Sequence, residues 1–140
     1  MRFLSLSDVL YINRVVIERY GGRFVEPDNI NNIGSLEWAL YVMQNPFFYD
    51  VNQYPTLGHK AAVLAWSINN GHVFYDGNKR TSIVASLTFL GENSHTLEAG
   101  NDDLIKISLS VANREKTGID LEDLCDWYCQ RIISINGSQL

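Results

Sequence analysis

The chain has 140 residues, room for one domain spanning 1–140 with a single core. Its hydrophobic fraction of 46% against 19% charged residues excludes disordered and fibrous classes. Eleven Lys and Arg against sixteen Asp and Glu give a net charge of -5, which argues against direct attraction to nucleic acid or to an anionic membrane.

Apolar residues recur with a period near 3.6 and strict alternation is scarce, so the sequence predicts an all-α fold of about six helices. Ser7 is the predicted N-cap of the first, which sets Val9, Ile12, Val16 and Tyr20 on one face and stops at Gly21-Gly22. The second follows Ser35, with Leu36, Ala39, Leu40 and Met43 at helical spacing. Asn45 to Pro55 has no such pattern; this aromatic run between two prolines is expected either to form a small extended flap or to plug the surface between helices. The third helix opens after Thr56 and stops at Gly71, and the fourth starts near Asn78 with Ile83, Leu87 and Leu90 ahead of Gly91. Asn101 is the predicted cap of a fifth, with Asp102 and Asp103 in its first turn and Lys116 near its end before Gly118. Asp120 and Asp123 form a predicted capping box for the sixth, which buries Leu121, Leu124, Cys125, Tyr128 and Ile132. Residues 134–140 read as a frayed tail.

Cys125 and Cys129 lie four apart in a helical pattern, a spacing that suits a reduced pair packed in the core rather than a disulfide or a zinc site, and favours the cytoplasm. The residues from Met1 to Asp8 lack a signal-peptide core, and no apolar run is long enough to span a membrane. Trp38, Trp66 and Trp127 fall in helical patterns and are expected in the core, while His59 and His95 are expected in cap or surface roles, His95 in a loop.

One segment stands apart, Gly71-His72-Val73-Phe74-Tyr75-Asp76-Gly77-Asn78-Lys79-Arg80-Thr81, between the third and fourth helices. Asp76-Gly77 permits a tight turn, after which the amides of Asn78, Lys79 and Arg80 head a helix and form an anion-binding nest, reinforced by two cationic side chains. A polyphosphate is the natural guest. His72, just before the turn, is the usual type of group for taking a proton from a hydroxyl nucleophile. Asp76 is a hard oxygen ligand where a phosphate-bridging Mg²⁺ would need one. The residues therefore read as phosphoryl or nucleotidyl transfer. Thr81 is read as a cap before a phosphate contact. A hairpin at Asp76-Gly77 is disfavoured by the helical spacing after Asn78, and a Walker A loop by the wrong glycine spacing.

His72-x-Phe74-x-Asp76-Gly77-Asn78-Lys79-Arg80 resembles the signature of the Fic/Doc superfamily, specifically the Doc (death-on-curing) toxin branch, at seven fixed positions in a window of nine. Tyr20-Gly21-Gly22, the Ser35 to Leu40 helix, Lys60-Ala61-Ala62 and Asp126-Trp127 are similar in order and spacing, so the resemblance extends over about 3–133. It implies a compact helical Fic fold. It implies further that His72 is the general base on a protein hydroxyl, that Asp76 holds Mg²⁺, that Gly77, Asn78, Lys79 and Arg80 bind the phosphates of ATP with Arg80 also catalytic, and that Phe74 anchors the loop. The family's flap, which holds a target chain in extended form, would correspond to the stretch from Asn45 to Pro55.

Fic enzymes that transfer AMP carry Gly after the Asn and a second Arg three positions past the first; here Lys79 and Ile83 stand there. A lysine in the nest takes space that the α- and β-phosphates use in AMP transfer, and the missing Arg removes a clamp on the outer phosphates. The resemblance then implies a phosphotransferase toxin of a type II toxin-antitoxin system, modifying a Ser or Thr of a target such as elongation factor Tu and arresting translation and growth. It also implies a partner antitoxin whose C-terminal segment folds onto the toxin. Thr88-Phe89-Leu90-Gly91-Glu92-Asn93 matches the inhibitory pattern of the family, but its place at the end of the fourth helix marks the match as coincidence. The alternatives are AMP transfer and, in another class, a decayed Fic-fold module that only binds an antitoxin or regulatory complex.

Overall fold

The computed structural model describes residues 1–135. Seven helices and two small antiparallel sheets follow in the order α1 Leu6–Tyr20, α2 Ile33–Gln44, β1 Phe47–Phe48, β2 Val51–Asn52, α3 Leu57–Asn70, α4 Asn78–Glu92, β3 His95–Leu97, α5 Asn101–Ala112, α6 Arg114–Thr117, α7 Leu121–Arg131 and β4 Ile132–Ser134. The fold is helical, as the apolar period predicts.

Helix α3 is the axis. Its run Ala61-Ala62-Val63-Leu64-Ala65 is buried on every side, together with Ile68, because α2, α4, α5 and α7 all pack against it. A helix apolar all round belongs inside a bundle. Thr56 caps its start, its hydroxyl accepting from the His59 amide at 3.2 Å and lying 2.6 Å from His59 Nδ1. Lys60, buried near that end, donates its ammonium to the Met43 carbonyl at 2.8 Å, so the last turn of α2 lies beside the first turn of α3. At the opposite end, Ser35 near the start of α2 donates to the Ser67 carbonyl at 2.8 Å. Helices α2 and α3 are therefore antiparallel partners, with the loop after α3 at the end where α2 begins.

Several sequence expectations need correction. Ser5, not Ser7, caps α1, because Asp8 lies three residues on and closes a reciprocal capping box; three residues after Ser7 stands Leu10, which cannot reciprocate. Tyr20 is exposed and the buried face of α1 includes Asn13 instead. Helix α2 starts at Ile33, two residues before Ser35. Gly100 in extended conformation caps α5, with Asn101 its first helical residue. The long fifth helix expected to reach Gly118 is two, because Asn113 turns its amide back onto the Leu109 carbonyl and the chain leaves the α5 axis; α6 is a single turn closed by Gly118. That raises the count from six to seven among the described residues.

The aromatic run forms an extended hairpin, Phe47 opposite Asn52 and Phe48 opposite Val51, around a two-residue turn in which Tyr49 and Asp50 both have positive φ. Its aromatics are exposed rather than plugging a surface. Trp38 is half exposed, edge-on to Tyr54, so only Trp66 and Trp127 pack against the core as expected. Cys125 is buried and Cys129 half-buried, both free; burial pushes the Cys125 thiol up to about 12. His95 lies in β3 rather than a loop. Ile132 leaves the last helix for β4, which pairs with β3 through Ile132 and Leu97 and carries on to Ser134, and the Ile135 amide donates to Ser94. The tail expected from 134 is thus partly sheet, and 136–140 lie outside the described residues. No helix among the described residues is long and apolar enough to cross a membrane.

Removing the α3 cap by Thr56→Ala is expected to cost about 1 kcal/mol, read as a lowered urea midpoint with unchanged slope.

Candidate active site

The loop from Gly71 to Gly77 is built against the segment that follows α1. Asn31 and Asn32 donate their backbone amides to the Val73 carbonyl at 2.8 and 3.0 Å, and their side chains to the carbonyls of His72 and Gly71, both at 3.0 Å. Ile30 bridges Phe74, and the Tyr75 amide donates to Asn29. These bonds hold His72 at φ +48, a left-handed conformation that costs a side-chain-bearing residue about 1 kcal/mol and needs such support. Phe74 is buried beneath the loop.

The second half of the loop hangs on Asn13 and Asn29, both fully buried. Asn13 Nδ2 donates to the Asp76 carbonyl and to Thr81 Oγ1, each at 3.1 Å. Asn29 Nδ2 donates to Asn13 Oδ1 at 3.1 Å and to the same Asp76 carbonyl at 3.3 Å, while its Oδ1 accepts from the Val25 amide. Gly77 follows at φ +81, and a Cβ there would meet Ile17 at 2.9 Å and Asn13 at 3.2 Å. Glycine is required twice over, by conformation and by space.

The Asp76 carboxylate is fixed by two backbone donors, Arg23 N–H to Oδ2 at 2.8 Å and Gly77 N–H to Oδ1 at 2.9 Å. Gly22, at φ +131, lets the chain pass close enough for the first, since a Cβ there would sit 2.9 Å from Oδ2. The Arg23 amide above all, then the Gly77 amide and the charges of Lys79 and Arg23, outweigh the modest burial and hold the carboxyl below its ordinary 3.8. Helix α4 then starts without a side-chain cap, leaving the amides of Asn78, Lys79 and Arg80 at its head. The Asn78 side chain is taken up by Phe74, whose amide donates to its Oδ1 at 2.9 Å and whose carbonyl accepts from its Nδ2 at 2.8 Å. What Asn78 presents outward is backbone.

These residues meet at a cleft of about 460 Å³ lined by His72, Tyr75, Asp76, Gly77, Asn78, Lys79, Arg80 and Ile83 on one side and by Ile105, Ser108, Leu109 and Ala112 of α5 on the other. The structure thus brings His72, Asp76, Gly77, Asn78, Lys79 and Arg80 together at one cleft, while Phe74 lies underneath and Thr81 is turned into the core. Thr81 is neither a cap nor a phosphate contact; it is fully buried, accepting from Asn13. The Arg80 guanidinium lies over the Tyr20 ring at 4.4 Å and that of Arg23 over Tyr75 at 4.9 Å.

Sequence reasoning missed Asn13, Asn29, Arg23 and the α5 wall. Asn13 carried a signal, a polar residue one helical turn past Val9 on the apolar face of α1; Ile105, Leu109 and Ala112 carried another, a second apolar stripe beside Leu104, Ser108 and Val111. The aromatic hairpin does not lie at this cleft. It joins the ends of α2 and α3 remote from the loop, separated from His72 by the length of α3, about 20 Å. The segment lying against the loop is the one between α1 and α2.

Fold and cleft define a small helical protein that offers a base, a carboxylate and an uncapped helix start to one cavity. The chain belongs to the Fic/DOC family, whose profile matches residues 3–90. It is similar to Toxin Doc of Mycolicibacterium smegmatis, 35% identical over 100 residues covering 71% of each chain.

Asn13→Leu keeps the bulk of the side chain but leaves the Asn29 amide and Thr81 hydroxyl short of a partner in a dry site; a loss of about 3 kcal/mol is expected by denaturant unfolding. For Asp76, a carboxyl ¹³C titration is expected to give a midpoint below 3.8. A depressed folded-state value stabilises above the unfolded one, so the stability difference between wild type and Asp76→Asn is expected to shrink as pH falls from about 4 through the folded midpoint.

Proposed function

We propose that this protein is a Doc-like toxin that transfers the γ-phosphoryl group of ATP to a Ser or Thr hydroxyl of a target protein, with elongation factor Tu the expected target and arrest of translation and growth the result. The observation that carries this reading is the shared lining of one cleft by His72, Asp76 and the bare head of α4 with Lys79 and Arg80. Family membership and the likeness to a protein named Toxin Doc support it.

His72 accepts the proton of the target hydroxyl as its oxygen attacks the γ-phosphorus; the bond from that phosphorus to the β–γ bridging oxygen breaks and ADP departs. The amides at the head of α4, with Lys79 and Arg80, hold the polyphosphate and spread its charge. Tyr20 keeps the Arg80 guanidinium in place before substrate arrives. Ile105 and Leu109 offer an apolar wall for the flat face of the nucleobase. Asp76 suits Mg²⁺: each of its oxygens accepts one backbone N–H and keeps a lone pair, and a single carboxylate completed by phosphate and water is a common way to hold this ion. When bound there, the ion would neutralise phosphate charge.

Lys79 and Ile83 both line the cleft, which favours phosphoryl over AMP transfer on the steric and clamping grounds given by the sequence. The silencing partner is an antitoxin acting in trans. Thr88 to Asn93 form the last turns and cap of α4, with Phe89 and Leu90 fully buried and the Asn93 side chain bonded to the backbone of Arg2, so this segment is not free to cover the cleft. A cytoplasmic location belongs to this reading, and the two free cysteines and the proposed target support it.

Incubation with elongation factor Tu, Mg²⁺ and ATP is expected to add one phosphate to the target by intact-mass spectrometry, and His72→Ala to abolish both that gain and growth arrest while keeping wild-type circular dichroism. An AMP-sized gain would move the protein to the nucleotidyl-transferring branch; no gain on any protein of a lysate would favour the decayed binding module.

A further inference from the structure

His72 borders two cavities. On one flank is the phosphate cleft; on the other is a smaller basin of about 180 Å³ bounded by Asn70, His72, Asn113, Arg114, Glu115 and Lys116. One wall of the basin is the single turn α6, which follows a break in helical geometry at Asn113 and is fixed by hydrogen bonds: Lys116 and Thr117 amides to Asn113, Gly118 amide to Arg114, and Thr117 hydroxyl to Ser110. Arg114 leans over the Trp66 ring, one turn before Asn70 on α3, at 5.9 Å. Both cations are exposed and neither forms an ion pair among the described residues, whereas Glu115 offsets only one of them. In a chain of net charge -5, that is a local positive surface beside His72 in a cavity that Lys79 and Arg80 do not line.

In-line displacement gives that position a meaning. The attacking and leaving oxygens lie on opposite sides of the phosphorus, so with the phosphates in the first cavity the acceptor hydroxyl must approach His72 from outside it. Resting on the phosphoryl-transfer reading above, we propose that the α6 basin is the acceptor subsite, and that it receives a target loop carrying Asp or Glu close to the modified hydroxyl. Arg114 and Lys116 draw the acidic side chain in and set the register of the loop, while His72 meets the hydroxyl between the two cavities. These two are specificity residues; they touch neither the phosphates nor the transferred group.

The test is transfer of ³²P from γ-labelled ATP to the target protein and to a positional-scanning set of Ser/Thr peptides, comparing wild type with the doubly substituted Arg114→Ala/Lys116→Ala protein. The expected result is a fall of about tenfold in kcat/KM for the protein target with an unchanged KM for ATP, since exposed charges at a binding surface act chiefly on encounter and register. Wild-type rates are expected to decline with added salt and those of the variant to stay flat. Wild type is expected to prefer acidic residues near the acceptor, and the charge-reversed Arg114→Glu/Lys116→Glu protein basic ones. Equal efficiency, salt response and peptide preference in wild type and variants would overturn the acceptor subsite while leaving phosphoryl transfer intact. Label transferred from α-labelled but not from γ-labelled ATP would overturn the reaction but not the subsite, which the same variants then test; absence of transfer from either label by wild type would overturn both.

Discussion

The carbonyl of Asp76 accepts from two buried side-chain amides, those of Asn13 and Asn29, and the geometry of the cleft depends on that junction. Pinning the carbonyl inward turns the Asp76 side chain outward, where the amides of Arg23 and Gly77 receive its carboxylate. It also fixes the point at which the chain enters α4, because Asn13 reaches the Thr81 hydroxyl in the first turn of that helix. Helix α1 and the segment after it are thus joined to the distant α4 by side chains with no contact to solvent. In a site of low dielectric such a network is strong when complete and costly when broken, so it specifies one loop conformation.

The antiparallel pairing of α2 and α3 divides the molecule into two ends. At one end lie the α1–α2 segment, the motif loop and the head of α4; at the other, the exposed aromatic hairpin. The first end also gathers Lys79, Arg80, Arg114 and Lys116 around the two cavities bordered by His72, although acids outnumber bases in the chain as a whole. Low-dielectric walls strengthen the field of the charges beside them, and Ile105 and Leu109 provide such a wall opposite Lys79, Arg80 and Asp76. Global net charge is therefore a poor guide to what this protein attracts, and the local arrangement is a good one.

The long helices were legible because their apolar faces repeat over three or four turns and their ends carry punctuation: Thr56 before α3, Asp120 with Asp123 before α7, Gly77 ahead of α4. Errors arose where a side chain competed with the helix for its own carbonyls, as Asn113 does, and where two candidate caps stood close together, as Ser5 and Ser7 do. The motif residues were legible as a cluster since they are contiguous. Their support was not, because Asn13 and Asn29 act through partners more than 45 residues away and the segment from Gly21 to Asn32 has no periodicity to read. The same blindness to distance put the flap at the aromatic run, nearer His72 along the sequence than the α1–α2 segment but remote from it in space.

Strain and support are matched in this loop. His72 and Asn29 both adopt positive φ, and each is held by bonds to the other segment or to its own: the Asn31 side chain to the carbonyl of His72, the Tyr75 amide of the Ile30–Phe74 bridge to the carbonyl of Asn29, and the Val25 amide to its Oδ1. Relaxing Asn29 would release backbone strain yet leave buried polar groups of Asn13 and of Asn29 itself short of partners, a larger loss than the strain itself. The left-handed turn at His72 takes the chain off the axis of α3, and His72 there borders both the larger cleft and the α6 basin. On the proposed reaction, a base between the donor and acceptor sites needs no large motion to serve both, and the Asn-rich segment from Asn29 to Asn32 holds the His72 backbone there.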